Sequence, residues 1–438
     1  ADLYVDSIVE SEVQTHEFRV NAPLNDTMSL TAGVFMSDLE LTEHNMFTYP
    51  GALVSDIGYG LNYALTDTSV TGVPLTGSSS WAGAGWHSGR GPYSPPVMFI
   101  NDIKRTDKQQ GIFGELSIDV SDTSELTVGA RWYDIEVDLE GSANSSFSTG
   151  FIPAGAPHND RQRYGTNLSN KYNGPGGNSG NPALDAMDHP DKAETDGVIG
   201  KVTYSWNTSE DIMYYVTWSE GFRPGLLNRP GGDSNDTYTV PFITESDEVT
   251  NYEFGWKTVL SDGRLRFNGS LFMVDIAGLQ TSILDPSITN LFFSDNAADA
   301  EITGLEGDFV YYPDAEGWMI SGAFSMLDTE ITKTLTSSGD VVAGKELAFA
   351  PGMQGNLSAR KEWAMTSGNM GHFQTQFTFS DDSYSDIIEP NKAQQDSYSY
   401  VNVRAGVSND MWLAEVYIDN ITDERGEISN NYVFDRMR

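Results

Sequence analysis

The side chains best suited to catalysis are scattered along this chain. None of its six histidines stands in the HExxH spacing that holds a catalytic zinc ion. The histidines are His16, His44, His87, His158, His189 and His372. The GxSxG turn of serine hydrolases and the GxxxxGK[ST] loop that binds phosphates are also missing from the sequence. With 63 Asp and Glu residues, paired carboxylates are expected by chance. We therefore predict no catalytic site and no cofactor.

Metal binding has little support in the sequence. There is no cysteine, so thiolate sites and disulfides do not exist. The acidic stretch DDSYSD, residues 381–386, could hold Ca²⁺ in a loop, but it lacks the spacing of a known calcium loop. A solvated acidic loop is the simpler interpretation, and we predict no specific metal site.

Two stretches carry side chains of the kind that bind ligands. The first, SSSWAGAGWHSGRGPYSPP at residues 78–96, sets large side chains among small ones, namely Trp81, Trp86, His87, Arg90 and Tyr93. Flat aromatic rings in such a setting suit sugar rings or planar chelates. The alternative is that these rings pack on neighbouring loops and order them.

The second stretch, APHNDRQRYGTN at residues 156–167, is one of the few basic clusters in the chain. It contains His158, Arg161, Arg163 and Tyr164. An anionic ferric chelate would favour such a cluster through charge-assisted hydrogen bonds. Ion pairing with adjacent acidic loops would explain the same residues.

The overall composition excludes some classes of protein. Lys and Arg total 25 in 438 residues, which gives a net charge of −38 and argues against nucleic acid as a partner. The acidity agrees with solubility, with a salty habitat, or with a surface that meets divalent cations. No stretch of the sequence approaches the length of about 20 apolar residues that a membrane-spanning helix requires. The opening ADLYVDSIVESEVQT has no signal-peptide pattern, which favours a cytosolic chain or a processed or truncated piece.

The elements that would position these loops are β-strands. Apolar and polar residues alternate in about fourteen segments, most of about ten residues or longer, which suits tilted membrane strands. Short polar turns lie at 21–27, 120–125, 206–211, 260–264, 312–317 and 407–411. They alternate with longer stretches, of which the longest are about 41–107 and 140–191. All short turns should therefore lie at one end of the sheet and all long loops at the other.

The two faces of these strands differ in chemistry. An apolar face is predicted to point away from the concave side, with Tyr252, Phe254, Trp256, Phe377, Phe379, Val416 and Ile418. A polar face should point into it, with Glu253, Lys257, Gln374, Gln376 and Glu415. Aromatic residues also cluster beside the turns, as in the interfacial girdles of membrane barrels. The pattern favours a transmembrane antiparallel β-barrel over a soluble sandwich or propeller.

Several blocks, in the same order along the chain, resemble the TonB-dependent outer-membrane receptors. YYVTWSEGFRPG resembles the strand-to-loop segment of that family, and NYEFGWKT resembles its Asn-Tyr-Glu-x-Gly-x-Lys block. Weaker matches are THEFRV, LTVGARW, NAADAEITGLEGD and VYIDNITDER. The resemblance implies structural roles for Gly221, Phe222, Arg223, Pro224 and Gly225, and for Asn251, Glu253, Gly255 and Lys257. Arg223 is expected to anchor a loop rather than to bind ligand.

The resemblance also implies a fold. A complete barrel of this kind has about 22 strands, so residues 1–438 are expected to form a partial barrel domain with the plug domain absent. The first strands and the final strand are expected to be missing, which would leave edges near residues 13–22 and 411–421. If those two edges paired directly, the chain would instead close a smaller, porin-sized barrel.

The function implied is active import of a scarce solute, most often an iron–siderophore complex, across the outer membrane of a Gram-negative bacterium. The partners implied are a small-molecule ligand, outer-membrane lipid and lipopolysaccharide, and the TonB–ExbB–ExbD energy complex, reached through the missing N-terminal segment. Import of a glycan fragment or cobalamin stays open, as does a passive porin-like or adhesin-like barrel. A soluble acidic all-β carbohydrate enzyme is a further alternative.

Overall fold

The computed structural model describes residues 4–48, 97–145, 192–228, 241–283, 293–336 and 340–429. Almost all of them lie in long strands or in the connections between them. In chain order the strands are β1 (Tyr4–Asn25), β2 (Met28–Thr48), β3 (Val97–Ser121), β4 (Ser124–Ser145), β5 (Lys192–Ser209), β6 (Ile212–Arg223), β7 (Asp247–Leu260), β8 (Leu265–Ile283), β9 (Phe293–Tyr311), β10 (Trp318–Thr334), β11 (Met353–Ala364), β12 (Met370–Ser380), β13 (Ser383–Tyr384), β14 (Gln394–Gln395), β15 (Tyr398–Ser408) and β16 (Leu413–Ile418). A short 3-10 helix covers Glu389–Asn391. Within these ranges, no helix has the length and apolarity needed to cross a membrane.

Fourteen strands form one antiparallel sheet, in which each strand pairs with the next along the chain. The two short strands β13 and β14 form a separate sheet in the segment between β12 and β15. Short connections, such as the one between β1 and β2, alternate with long ones, so the short turns all lie at one end. The sequence-based predictions of strand number, antiparallel order and turn alternation are confirmed.

The strands extend further than the alternating pattern indicated. The chain is still in β2 at Thr48 and re-enters the sheet in β3 at Val97, so both strands continue into the predicted loop of about 41–107. In the same way β4 reaches Ser145, inside the predicted loop of 140–191. Backbone pairing does not require an apolar side chain on either face. The end of apolar alternation therefore located the end of the apolar band, not the end of the strand.

Apolar side chains share one face of the sheet, which we call the outer face. Tyr214 pairs with Trp256, Val216 with Phe254, and Trp218 with Tyr252 across β6 and β7. The Tyr214 and Phe254 rings stack with centroids 6.0 Å apart. Large side chains on this face remain exposed, and the exposed fraction is 49% for Tyr252, 41% for Phe377 and 74% for Val416. An exposed apolar surface of this kind is typical of a face that contacts a membrane or another protein.

Polar side chains occupy the opposite face, which we call the inner face. The hydroxyl of Tyr215 donates a hydrogen bond to Glu253, and the hydroxyls of Thr203 and Thr217 lie 3.0 Å apart. Farther along the sheet, His372 Nε2 lies 2.8 Å from Glu415 Oε2. The strand period thus separates the two predicted sets of side chains onto opposite faces.

Glycines on the inner face make room for aromatic rings of neighbouring strands. A Cβ on Gly255 would lie 2.1 Å from the Tyr215 ring, and one on Gly304 would lie 2.2 Å from the Phe272 ring. Each ring lies directly against the adjacent strand, where a side chain would exclude it. This explains the glycine of the NYEFGWKT block.

β1 and β16 are the two edges of the sheet. Within the part of the chain that the structure describes, β1 pairs only with β2 and β16 only with β15. The sheet is therefore an open part of a barrel, with its edges in the predicted regions. Among the residues with described positions, β1 and β16 do not pair with each other, as they would in a closed smaller barrel.

Candidate functional site at the long-loop end

The segments that follow β6, β10 and β12 fold back onto the inner face at the long-loop end. Two clusters of buried apolar residues attach them there. The second of these clusters lies on the same face as Glu253. Gly255, two residues after Glu253, pairs with Ser270, and Ser270 pairs with Glu306. Ala300 shares this face because it lies an even number of residues from Glu306 in β9. The described parts of these loops therefore cover inner-face side chains at the long-loop end.

The first cluster joins the segment after β6 to β4 and β5. Its buried residues are Tyr133, Ile135, Val137 and Ala193, and its partly buried members include Phe222, Leu226, Leu227 and Ile243. The rings of Tyr133 and Phe222 stack with centroids 3.6 Å apart and planes at 14°. This stack connects β6 to β4 across the intervening β5.

Direct pairing of β5 with β6 ends below this cluster, at Lys201 and Ser219. Just above, the carboxylate of Glu220 accepts a hydrogen bond from the backbone N–H of Gly200 at 2.8 Å. Higher still, the N–H of Gly225 donates to Oγ1 of Thr195 at 3.0 Å. Side chains thus replace the backbone ladder where the chain leaves the sheet.

Arg223 and the buried Asp247 form the polar centre of this region. Asp247 is 1% exposed. Arg223 Nε donates to Asp247 Oδ2 at 2.7 Å, and its backbone N–H donates to Oδ1 at 3.0 Å. Arg223 Nη2 also donates to Oδ2, and the backbone N–H of Gln280 adds a fourth donor at 3.3 Å. A buried carboxylate is stable only when such donors compensate its lost hydration.

Gln280 extends this network to both ends of the β6–β7 loop. Its Nε2 donates to the carbonyl of Pro224 at 3.0 Å and to that of Glu245 at 2.8 Å. Arg223 in turn donates from Nη2 to the carbonyl of Gln280 at 3.0 Å. The arginine of the GFRPG block therefore holds the base of a loop.

Replacing Arg223 by Met should destabilise the base of this loop. The substitution leaves Asp247 buried without its cationic partner, and we expect the free energy of unfolding to fall by about 2 kcal/mol. A fully buried pair would cost more, about 3–5 kcal/mol, but the Arg223 side chain is 56% exposed. Urea unfolding in detergent measures the change. The matched control is Arg264→Met, because its partner Asp314 is 88% exposed and such surface pairs contribute about 0–1 kcal/mol. Equal losses for both variants would contradict the assignment.

The second cluster attaches two further segments to β8, β9 and β10. Its most buried members include Ile283, Phe293, Ala300 and Ile331, which the loop residues Val341, Leu347, Ile387 and Ile388 cover. Backbone hydrogen bonds join the loop to β10, with Gly344 N–H donating to the Ile331 carbonyl at 2.7 Å. Val341 and Ile388 form an isolated β-bridge. We call residues 340–351 and 381–397 the loop platform.

The outer face becomes acidic beyond the apolar band. Glu136 and Glu194, on β4 and β5, bracket Lys192 at 2.5 and 2.7 Å. The hydrogen bond to Glu136, and to a smaller extent the one to Glu194, raises the pKa of the Lys192 ammonium group. Among the residues with described positions, no group of three or more His, Asp or Glu is arranged to hold a metal ion.

The predicted ligand-binding residues lie outside the described residues, and they are Trp81, Trp86, His87, Arg90, Tyr93, His158, Arg161, Arg163 and Tyr164. The structure instead brings together groups that sequence reasoning missed, above all Asp247, Gln280 and the loop platform. Asp247 lies just before the NYEFGWKT block, and its position there was the available signal. Its partner could not be identified from spacing, because Gln280 lies on another strand.

Comparison with known proteins identifies the family. Residues 5–421 match the family described as TonB dependent receptor-like, beta-barrel. This chain belongs to that family. Its members are outer-membrane transport receptors of Gram-negative bacteria rather than enzymes. The open sheet is accordingly a partial transmembrane barrel, with short periplasmic turns and long extracellular loops.

Solved receptors share this fold. The ferric yersiniabactin uptake receptor FyuA from Yersinia pestis is 14% identical and has a TM-score of 0.64 over 98% of this chain and 52% of that chain. The siderophore receptor PiuA from Acinetobacter baumannii is 15% identical, with a TM-score of 0.62 over 98% and 54%. The copper transporter OprC is 12% identical, with a TM-score of 0.59 over 96% and 52%. This TonB-dependent receptor barrel thus spans about half the length of the receptors that it resembles.

Proposed function

We propose that this barrel belongs to an outer-membrane receptor that actively imports a scarce solute, with an iron–siderophore complex as the leading cargo. The observation that carries the proposal is the extracellular mouth, where two buried clusters and the Arg223–Asp247 pair hold loops against the inner face. A mouth built in this way positions loops for capture above a polar lumen. The fold is also that of a receptor for ferric yersiniabactin.

The charged side chains of the inner face support the proposal of a water-lined passage that holds a plug domain. Charged pairs line it, including Lys201 with Glu115 at 3.6 Å and Arg404 with Glu415 at 3.7 Å. Such side chains would be costly in a dry core but suit contact with water or with a polar plug domain. We propose that a plug fills the complete barrel and that a segment preceding it contacts the TonB–ExbB–ExbD complex.

The outer face supports contact with lipid and lipopolysaccharide. Its aromatic residues would lie against acyl chains, and the acidic zone above them would reach the level of the lipopolysaccharide phosphates. Side chains such as Glu136 and Glu194 would meet those phosphates through divalent cations, since direct contact between like charges is unfavourable.

Uptake by cells tests this function. The full-length receptor should restore accumulation of radioactive iron, supplied as ferric chelates, to a Gram-negative strain that lacks its own receptors. Restoration should disappear when ExbB and ExbD are deleted, because active import requires the energy complex. Uptake that persists in the deletion strain would favour a passive porin-like barrel. Absence of iron uptake in both strains would exclude iron chelates as cargo.

A further inference from the structure

The loop platform exposes apolar surface on a rigid base. Val341 and Leu347 are buried in the second cluster, whereas Val342 is 39% and Phe349 is 54% exposed. The base is rigid because Leu347 N–H donates to Oγ1 of Thr329 at 3.1 Å and the loop is bonded to β10. An exposed phenyl ring on a fixed base can contact a ligand with little loss of conformational entropy.

The backbone of Phe349 is held by its neighbours. Its φ is +54°, a left-handed conformation that bulky residues rarely adopt. Its N–H donates to the carbonyl of Tyr384 at 2.8 Å, which links the two segments of the platform. The platform therefore presents this ring from a position that costs backbone energy to maintain.

The charge around the ring restricts the ligand. The platform carries the acidic residues Asp340, Glu346, Asp381, Asp382, Asp386, Glu389 and Asp396 against only Lys345 and Lys392. Lys392 is already 3.6 Å from Glu389 and lies over the Tyr384 ring at 4.1 Å. A cargo with net negative charge would be repelled here, whereas a neutral or cationic one would not.

We propose that the loop platform contacts the cargo, that Phe349 packs against its apolar part, and that the surrounding carboxylates select a cargo without net negative charge. The proposal rests on the receptor function above and narrows its substrate class. It separates this chain from a receptor for anionic ferric chelates.

Binding of three probes to the purified full-length receptor in detergent tests the charge selection. The probes are a cationic linear ferric trihydroxamate, the anionic ferric tris-catecholate, and cyanocobalamin, which is neutral and contains no iron. We expect the trihydroxamate or cyanocobalamin to bind more tightly than the catecholate. Glu346→Lys should reduce that preference by about three- to tenfold. Glu316→Lys, with the same charge change on a short turn at the opposite end, should leave it unchanged.

A second pair of variants tests the ring. Phe349→Asn removes the phenyl group, and Asn tolerates a left-handed backbone, so the loop should keep its path. We expect binding of the preferred probe to weaken about tenfold, while Phe349→Tyr retains it. Tyr312→Asn is the control, because Tyr312 is 49% exposed on a short turn. Equal effects of Phe349→Asn and Tyr312→Asn would overturn the role of the ring.

The outcomes separate this proposal from the receptor function. Preferred binding of the catecholate overturns the charge selection but leaves iron import intact. Binding of cyanocobalamin alone supports the charge selection and overturns the iron cargo. Failure of all three probes to bind overturns both.

Discussion

Val216→Arg is expected to prevent assembly of the barrel, whereas Thr217→Arg is expected to be tolerated. Val216 lies on the outer face, 42% exposed, and pairs with Tyr204 and Phe254 in the apolar band. An arginine near the middle of the bilayer costs about 2–4 kcal/mol. Thr217 lies on the inner face beside Thr203, where a charge can be hydrated.

Both substitutions introduce arginine at neighbouring positions, so the main difference between the variants is the face of the sheet that carries the new charge. Heat-modifiable mobility on gel electrophoresis, together with the amount of receptor in the outer membrane, measures assembly of the full-length protein. Assembly of Val216→Arg at wild-type levels, with loss of Thr217→Arg, would reverse the assignment of the lipid face.

Ile331→Ala should be the most destabilising single change at the extracellular end. Ile331 is fully buried in the second cluster, and truncation of such a residue costs about 2–5 kcal/mol through lost burial and the cavity left behind. Because the platform depends on this cluster, its segments should become sensitive to protease before the strands unfold. Limited proteolysis followed by mass spectrometry, together with urea unfolding, measures both effects.

Val342→Ala is the control for this prediction. It truncates an apolar residue of the same platform, but one that is 39% exposed, so the expected change is within about 0.5 kcal/mol. Unchanged protease sensitivity of residues 340–351 in Ile331→Ala would show that the hydrogen bonds to β10, rather than the buried cluster, hold the platform.

The alternating pattern predicted the strands, their faces and the end at which the loops lie. Residues such as Tyr252 and Glu253 must point to opposite sides of any strand, because side chains alternate with a period of two. The short polar turns then determine the antiparallel order. These properties are local, so the amino-acid sequence was sufficient to determine them by itself.

Only the tertiary structure decided how the extracellular mouth is built. Arg223 meets Asp247 and Gln280 from other strands, and Val341 meets Ile388 across two loops. Such contacts depend on where the curved sheet brings distant segments together, and they leave no periodic signal in the sequence. For the same reason the strands outlast their apolar pattern near Thr48 and Ser145, since the backbone ladder continues wherever a neighbouring strand is present.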